Sequence, residues 1–212
     1  MKIKLLCILI LNLIISQHIG AQNNAQAEKI ISNIISNVKA KPIKTNFKLV
    51  ISDKNNSQGQ STNGTFTLFG NKFTLEITDM KVYFDGKTQW AYIPQNNEVS
   101  ITEPTEKELS ETNPMAILSS FKSKSLIRFS TKSKSNLNYF IEMTPKAKQQ
   151  GIEKIELIVV KSSEIIQSIK IINSNGSIST LTLTNFQKTV VNNNNFTFNQ
   201  SKYKGIVIND LR

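Results

Sequence analysis

Hydrophobic residues recur with two different periods along this chain. Over 25–40, AQAEKIISNIISNVKA places Ile30, Ile31, Ile34, Ile35 and Val38 at helical spacing, one apolar stripe on an amphipathic helix that Pro42 ends. Beyond it the period is two. Phe47, Leu49 and Ile51 alternate with Lys48, Val50 and Ser52, Phe66 and Leu68 with Thr65 and Thr67, and Phe73, Leu75 and Ile77 with Thr74, Glu76 and Thr78. Each reads as a strand with one apolar and one wet face. The pattern continues through Val82 and Phe84, Trp90 and Tyr92, and Val99 and Ile101. A second set covers Ile127 and Phe129, Leu137 to Met143, Ile155 to Val159, Ile165 to Ile171 and Ile178 to Leu183, with a last short strand expected at Phe196 to Phe198. The dipeptides Asp85-Gly86 and Asn175-Gly176 favour tight hairpins, so sequential antiparallel pairing is expected. Between the two sets, TEKELSETNPMAILSSF (105–121) loses the alternation and reads as one or two short helices with a break near Pro114.

Ten or so antiparallel strands with one apolar face make a large curved sheet, and that face must be hidden. Two helical elements, 25–40 and 105–121, are available as plug or lid. Their apolar residues are too few to fill a sheet of this size, which leaves room for a ligand in the concavity; plain core packing is the competing fate.

The chemistry available is narrow. Lys2 and Lys4, the apolar run Leu5 to Ile15, and Ile19-Gly20-Ala21 before Gln22 read as a secretory signal over 1–21, with 22–212 as one domain. The run is shorter than the ~20 residues that cross a bilayer, so an exported, periplasmic protein is expected. The chain's one cysteine, Cys7, and one histidine, His18, both lie in that leader. Disulfides, the common zinc sites and Cys/His or Ser/His/Asp nucleophiles are then excluded from the mature chain. Ser/Lys and two-carboxylate sites lack any signature, so no catalytic residue, metal or cofactor is expected, and the chain does not read as an enzyme. The formal charge of +11 includes Lys2 and Lys4, which leaves +9 after the leader. That surplus suits an anionic membrane, an acidic protein partner or simply a lysine-rich surface. Nucleic acid is disfavoured, because the lysines alternate along strands and form no basic helix. Asp85, Gly86 and Lys87 read as turn chemistry, and Gly64 and Gly205 as backbone punctuation.

Several stretches resemble one family. DGKTQWAYIP (85–94) is similar to the hairpin motif of the periplasmic outer-membrane lipoprotein carriers, the LolA family; TNPMAIL (112–118) resembles its Pro-containing lid; MTPK (143–146) and FTFNQSKYKGIVIND (196–210) resemble its later strand and C-terminal tail. The resemblance implies an unclosed antiparallel β-barrel of about ten or eleven strands, mainly β, covered by the N-terminal helix and the inserted helical segment. It implies a monomeric carrier of acylated lipoprotein cargo, loaded by an inner-membrane ABC transporter and, where one exists, unloaded by an outer-membrane receptor. A lipoprotein-binding sensor or a general glycolipid carrier of the same fold is the alternative. The expected lipid-binding residues are Phe47, Leu49, Phe66, Leu68, Phe73, Leu75, Ile77, Trp90, Tyr92 and Met143 from strands, with Met115, Ile117 and Leu118 from the lid. Trp90 is expected to report lipopeptide by fluorescence. The family's lid-fastening arginine has no counterpart, since Phe69-Gly70-Asn71 stands there; the latch must be built differently.

Overall fold

The computed structural model describes residues 24–53, 55–106, 108–109, 113–147 and 151–212. The expected signal segment, 1–21, lies outside the described residues. A helix, α1, covers 24–40. Six strands follow: β1 (Ile43–Ser52), β2 (Gln60–Phe69), β3 (Lys72–Ile77), β4 (Lys81–Phe84), β5 (Gln89–Ile93) and β6 (Glu98–Thr102). Helix α2 (Pro114–Lys122) leads to β7 (Ser125–Phe129), β8 (Asn138–Pro145), β9 (Ile152–Val160), β10 (Ile165–Asn173), β11 (Ile178–Lys188) and, at the end, β12 (Val207–Asp210).

All twelve strands belong to one sheet in the order β12-β6-β5-β4-β3-β2-β1-β11-β10-β9-β8-β7. Two meanders, β1–β6 and β7–β11, join where β1 pairs antiparallel with β11 (Phe47 opposite Leu183, Leu49 opposite Leu181). Strands β7 and β12 each pair on one side, so the barrel is unclosed. This order explains the helical insertion. The chain leaves β6 beside one edge and re-enters at β7, the other edge, so the connection must cross the sheet, and α2 is the part that crosses on the apolar side. Asn113 caps it, accepting from the amides of Met115 and Ala116, and Pro114 opens the first turn. The proline therefore begins α2, and with helical residues 106 and 108–109 just upstream the expected break near Pro114 falls at Asn113. Thr105 and Glu108 form a reciprocal capping pair just upstream.

The Asp85-Gly86 turn is the tight hairpin the sequence suggested, whereas at Asn175-Gly176 the loop is one residue longer, the Asn173 amide donating to the Ser177 carbonyl. The Asp85 amide donates to the Thr88 carbonyl, leaving Gly86 and Lys87 at the tip, with Gly86 at φ 105°. Asp85 Oδ1 accepts from the Lys87 and Thr88 amides.

The C-terminus departs from expectation. Asn193–Phe196 is a 3-10 turn and not a strand. The last strand is β12, which runs parallel to β6. Phe196 is buried, and the packing of Phe198 and Tyr203 against Tyr83 of β4 and Tyr92 of β5 sets the course of this segment more than any alternation does.

Candidate functional site

Register fixes the two faces. Across the C-terminal meander, Ile127, Met143, Ile155 and Ile171 stand in one row, and Phe129, Ile141, Leu157, Ile169, Leu181 and Leu49 in the next. In the N-terminal meander Leu68 pairs with Phe73 and Phe73 with Phe84, and the Phe73 ring stacks on Phe66 at 5.5 Å and meets Phe84, tilted, at 5.4 Å. These residues form a single apolar cluster with Ala27, Ile30, Ile31, Ile34 and Val38 of α1 and Ile117, Leu118 and Phe121 of α2. That cluster is the concave face.

Eleven of the thirteen residues expected to bind lipid lie in it. Phe47, Phe66, Leu68, Phe73, Ile117, Leu118 and Met143 are buried members, while Leu49, Leu75, Ile77 and Met115 are half-buried against it. Trp90 and Tyr92 are not on this face. Trp90 pairs with Tyr83 and Tyr92 with Lys81, whereas Ala91 between them pairs with Val82 of the cluster. Tyr92 packs on the convex side against Phe198 (5.3 Å) and Tyr203 (4.5 Å), and Tyr83 against Phe198 (5.8 Å). Burial there, with Tyr203 and Glu76 nearby, pushes the Tyr83 phenol up to about 12. Trp90 is therefore no direct reporter of a ligand on the concave face.

The concave face is occupied by the protein's own side chains. Two surface depressions, of about 370 and 340 Å³, share Val160 and Gln167; the second opens where the β10–β11 ladder stops at Ser168 opposite Thr182. Neither is lined by residues of α1 or α2. Partly exposed apolar residues also line the end where β1 finishes and β9 and β11 begin. There Leu49, Ile77, Ile152, Ile171 and Leu181 are half-buried and Ile51 is 50% exposed.

Sequence reasoning missed two features. One is the latch. Among the described residues two hydrogen bonds tie α1 to the sheet: Asn33 Nδ2 donates to Glu164 Oε2 at the β9–β10 tip (3.0 Å), and the Gly70 amide donates to the Val38 carbonyl (3.3 Å). The stretch in which the arginine is missing thus holds the helix by its backbone. The other is a pair of buried polar atoms, Gln89 Oε1 and Ser125 Oγ, that have no partner among the described residues; their spacing carries no sequence signal. Gly64, read as punctuation, is mid-strand in β2 between Phe47 and Ile77.

The convex face is polar opposite the C-terminal meander. Glu142 is buried there, accepting from Ser130 Oγ (2.7 Å) and from Arg128 (3.1 Å). The Ser130 hydrogen bond, then Arg128 and Lys154, hold its carboxyl below the usual range against the opposing effect of burial. The described residues hold no group of three or more His, Cys, Asp or Glu that could bind a metal.

The chain thus folds as an unclosed, mainly antiparallel barrel whose concave apolar face is covered by two helices, and the comparisons identify the family. Residues 18–176 match the family described as outer membrane lipoprotein carrier protein LolA, and the chain belongs to that family. It is 26% identical over 187 residues to an outer-membrane lipoprotein carrier protein of Shewanella oneidensis, covering 86% of this chain and 84% of that protein. An uncharacterised conserved protein of Thermus thermophilus shares the fold, with a TM-score of 0.60 at 11% identity over 87% of this chain and 99% of that one.

Proposed function

We propose that this protein is a periplasmic chaperone that binds the acyl chains of lipoproteins on its concave face and carries them from the inner to the outer membrane. The family supports the cargo class, and the observation that carries the reading is the continuity of one apolar cluster from the sheet into both covering helices. The structure is then the closed, unloaded form. Loading requires α1, α2 or both to lift, and the apolar ligand to replace them.

The magnitudes permit that exchange. Each large apolar side chain contributes about 1.5–3 kcal/mol when buried, so the four large residues of α1's buried stripe represent on the order of 10 kcal/mol. One acyl chain of about 16 carbons, at ~0.8 kcal/mol per methylene, represents roughly 12 kcal/mol. The two are close enough for a chain to displace the helix and later be displaced by it. Dispersive contacts without directional hydrogen bonds keep the ligand releasable, and Met115 and Met143 add adaptable walls. The expected loading transporter is an inner-membrane ABC complex, and the signal segment over 1–21 is removed on export.

Depleting the protein in its host and fractionating the envelope tests the reading. Lipoproteins should accumulate in the inner membrane; correct lipoprotein placement with an altered envelope-stress output overturns it in favour of a sensor.

A further inference from the structure

Five lysines gather at one end of the barrel, around the C-terminus of α1. Lys39 and Lys41 flank the end of that helix, which the Gly70 amide joins to the β2–β3 tip. Lys44 opens β1 next to Ile43, and Ile43 pairs both with Leu68 of β2 and with Lys188 of β11. Lys72 pairs with Phe69 across the β2–β3 tip and donates to Asn193 Oδ1, which ties the segment after β11 to the same end. Sequence separation hides this cluster; the β11–β1–β2–β3 register creates it.

The lysines are not balanced locally. Among the described residues the ion pairs involve Lys81, Lys87, Arg128, Lys154, Lys170 and Arg212, and none of these five. The carboxylate on the adjoining β4–β5 tip, Asp85, is committed to the amides of its own turn. Two apolar side chains project beside the lysines: Val190, just past β11, is 96% exposed, and Phe69, at the end of β2, is 36% exposed. Both sit on tips and not on a flat patch, and neither belongs to the concave cluster.

We propose that this end of the protein docks on an anionic membrane surface, with the lysines facing lipid phosphates and Val190 and Phe69 entering the headgroup region. A lysine near such a surface multiplies partitioning by roughly fivefold, and the attraction fades within a Debye length, so it acts only on contact. Apolar tips among long basic side chains suit the interfacial region of a bilayer. An acidic protein partner would pair with the lysines but leave two isolated apolar tips without a matching surface. Docking here is reversible, as a shuttling protein requires, because no single contact is large.

Flotation of residues 22–212 with phosphatidylglycerol-containing vesicles and with pure phosphatidylcholine vesicles tests the proposal. Binding is expected to the anionic vesicles only and to fall with added salt. Replacing Lys39, Lys41, Lys44, Lys72 and Lys188 together by Glu should lower it more than tenfold. V190S with F69S should lower it several-fold at unchanged charge. A control that reverses Lys122, Lys124 and Lys146 should leave it within twofold, and circular dichroism of each variant checks folding. A folded wild-type chain that does not float with anionic vesicles at low salt overturns the proposal, as does equal loss in the control variant. So does a patch-dependent complex with an acidic envelope protein in the absence of vesicle binding.

Discussion

Replacing Gly64 by alanine is the most direct check on how the concave face is built. Gly64 lies in β2 opposite Phe47 on one side and Ile77 on the other. A methyl group there would stand 2.8 Å from the Phe47 ring and 2.9 Å from Ile77 Cγ2, and inside contact distance of the Glu76 carbonyl oxygen. Side chains can rotate away, but a carbonyl in the β2–β3 ladder cannot move without moving the strand. Overpacking of this kind costs roughly 1–3 kcal/mol and more when backbone must shift. Alanine also restricts the unfolded chain, which returns about 0.5–1 kcal/mol. The net expectation is a loss of about 2 kcal/mol, which lowers the melting temperature by roughly 4–8 °C for a domain of this size. Thermal denaturation followed by circular dichroism measures it. Gly70 is the matched control: its φ is +65° and nothing lies within 4 Å of a built Cβ, so only backbone conformation resists substitution. Asparagine, which tolerates that conformation, should therefore be accepted at 70 and rejected at 64. A G64A protein as stable as the parent would refute the close approach of Phe47, Ile77 and the Glu76 carbonyl to Gly64.

Three further outcomes are expected. Asn33→Ala removes the side-chain tie between α1 and Glu164; it should cost about 1 kcal/mol, raise amide exchange along α1 selectively and speed lipopeptide uptake, whereas uniform exchange would show that the helix is not a separable cover. The lowered carboxyl of Glu142 contributes stability that is present above the ordinary carboxylate range and lost as pH falls through the folded value. Glu142→Gln should therefore flatten the acid limb of the melting-temperature profile, and an unchanged limb would mean the Ser130 and Arg128 contacts are not made. Tyr83, raised to about 12, contributes stability that is complete below pH 10 and lost as pH rises toward that value. Ultraviolet titration should show the Tyr83 phenol ionising late, and Phe198→Ala, which uncovers the ring, should bring it down.

The sequence by itself determined the elements and much of the concave face. Alternation in β1, β2 and β3 is unambiguous because one side of each carries Lys, Thr or Asn, so Phe47, Leu49, Phe66, Leu68, Phe73, Leu75 and Ile77 had to share a buried side. The stripe of α1 is equally plain, since Ile30, Ile31, Ile34 and Val38 occupy one helical face and all become buried. The resemblance in 85–94 and 112–118 supplied the lid and the open barrel.

Tertiary structure decided what alternation cannot express. In β5, Gln89-Trp90-Ala91-Tyr92-Ile93, both sides are apolar enough to be covered, because α1 and α2 cover the sheet on the concave side while Phe198 and Tyr203 return to pack on Tyr83 of β4 and Tyr92 of β5 on the convex side. A period of two says that Trp90 and Tyr92 share a face; only the returning segment says which. The parallel β12, the backbone latch at Gly70 and the five lysines at one end arise the same way. Each depends on residues far apart in the chain brought together by strand order, and local periodicity carries no information about partners at that distance.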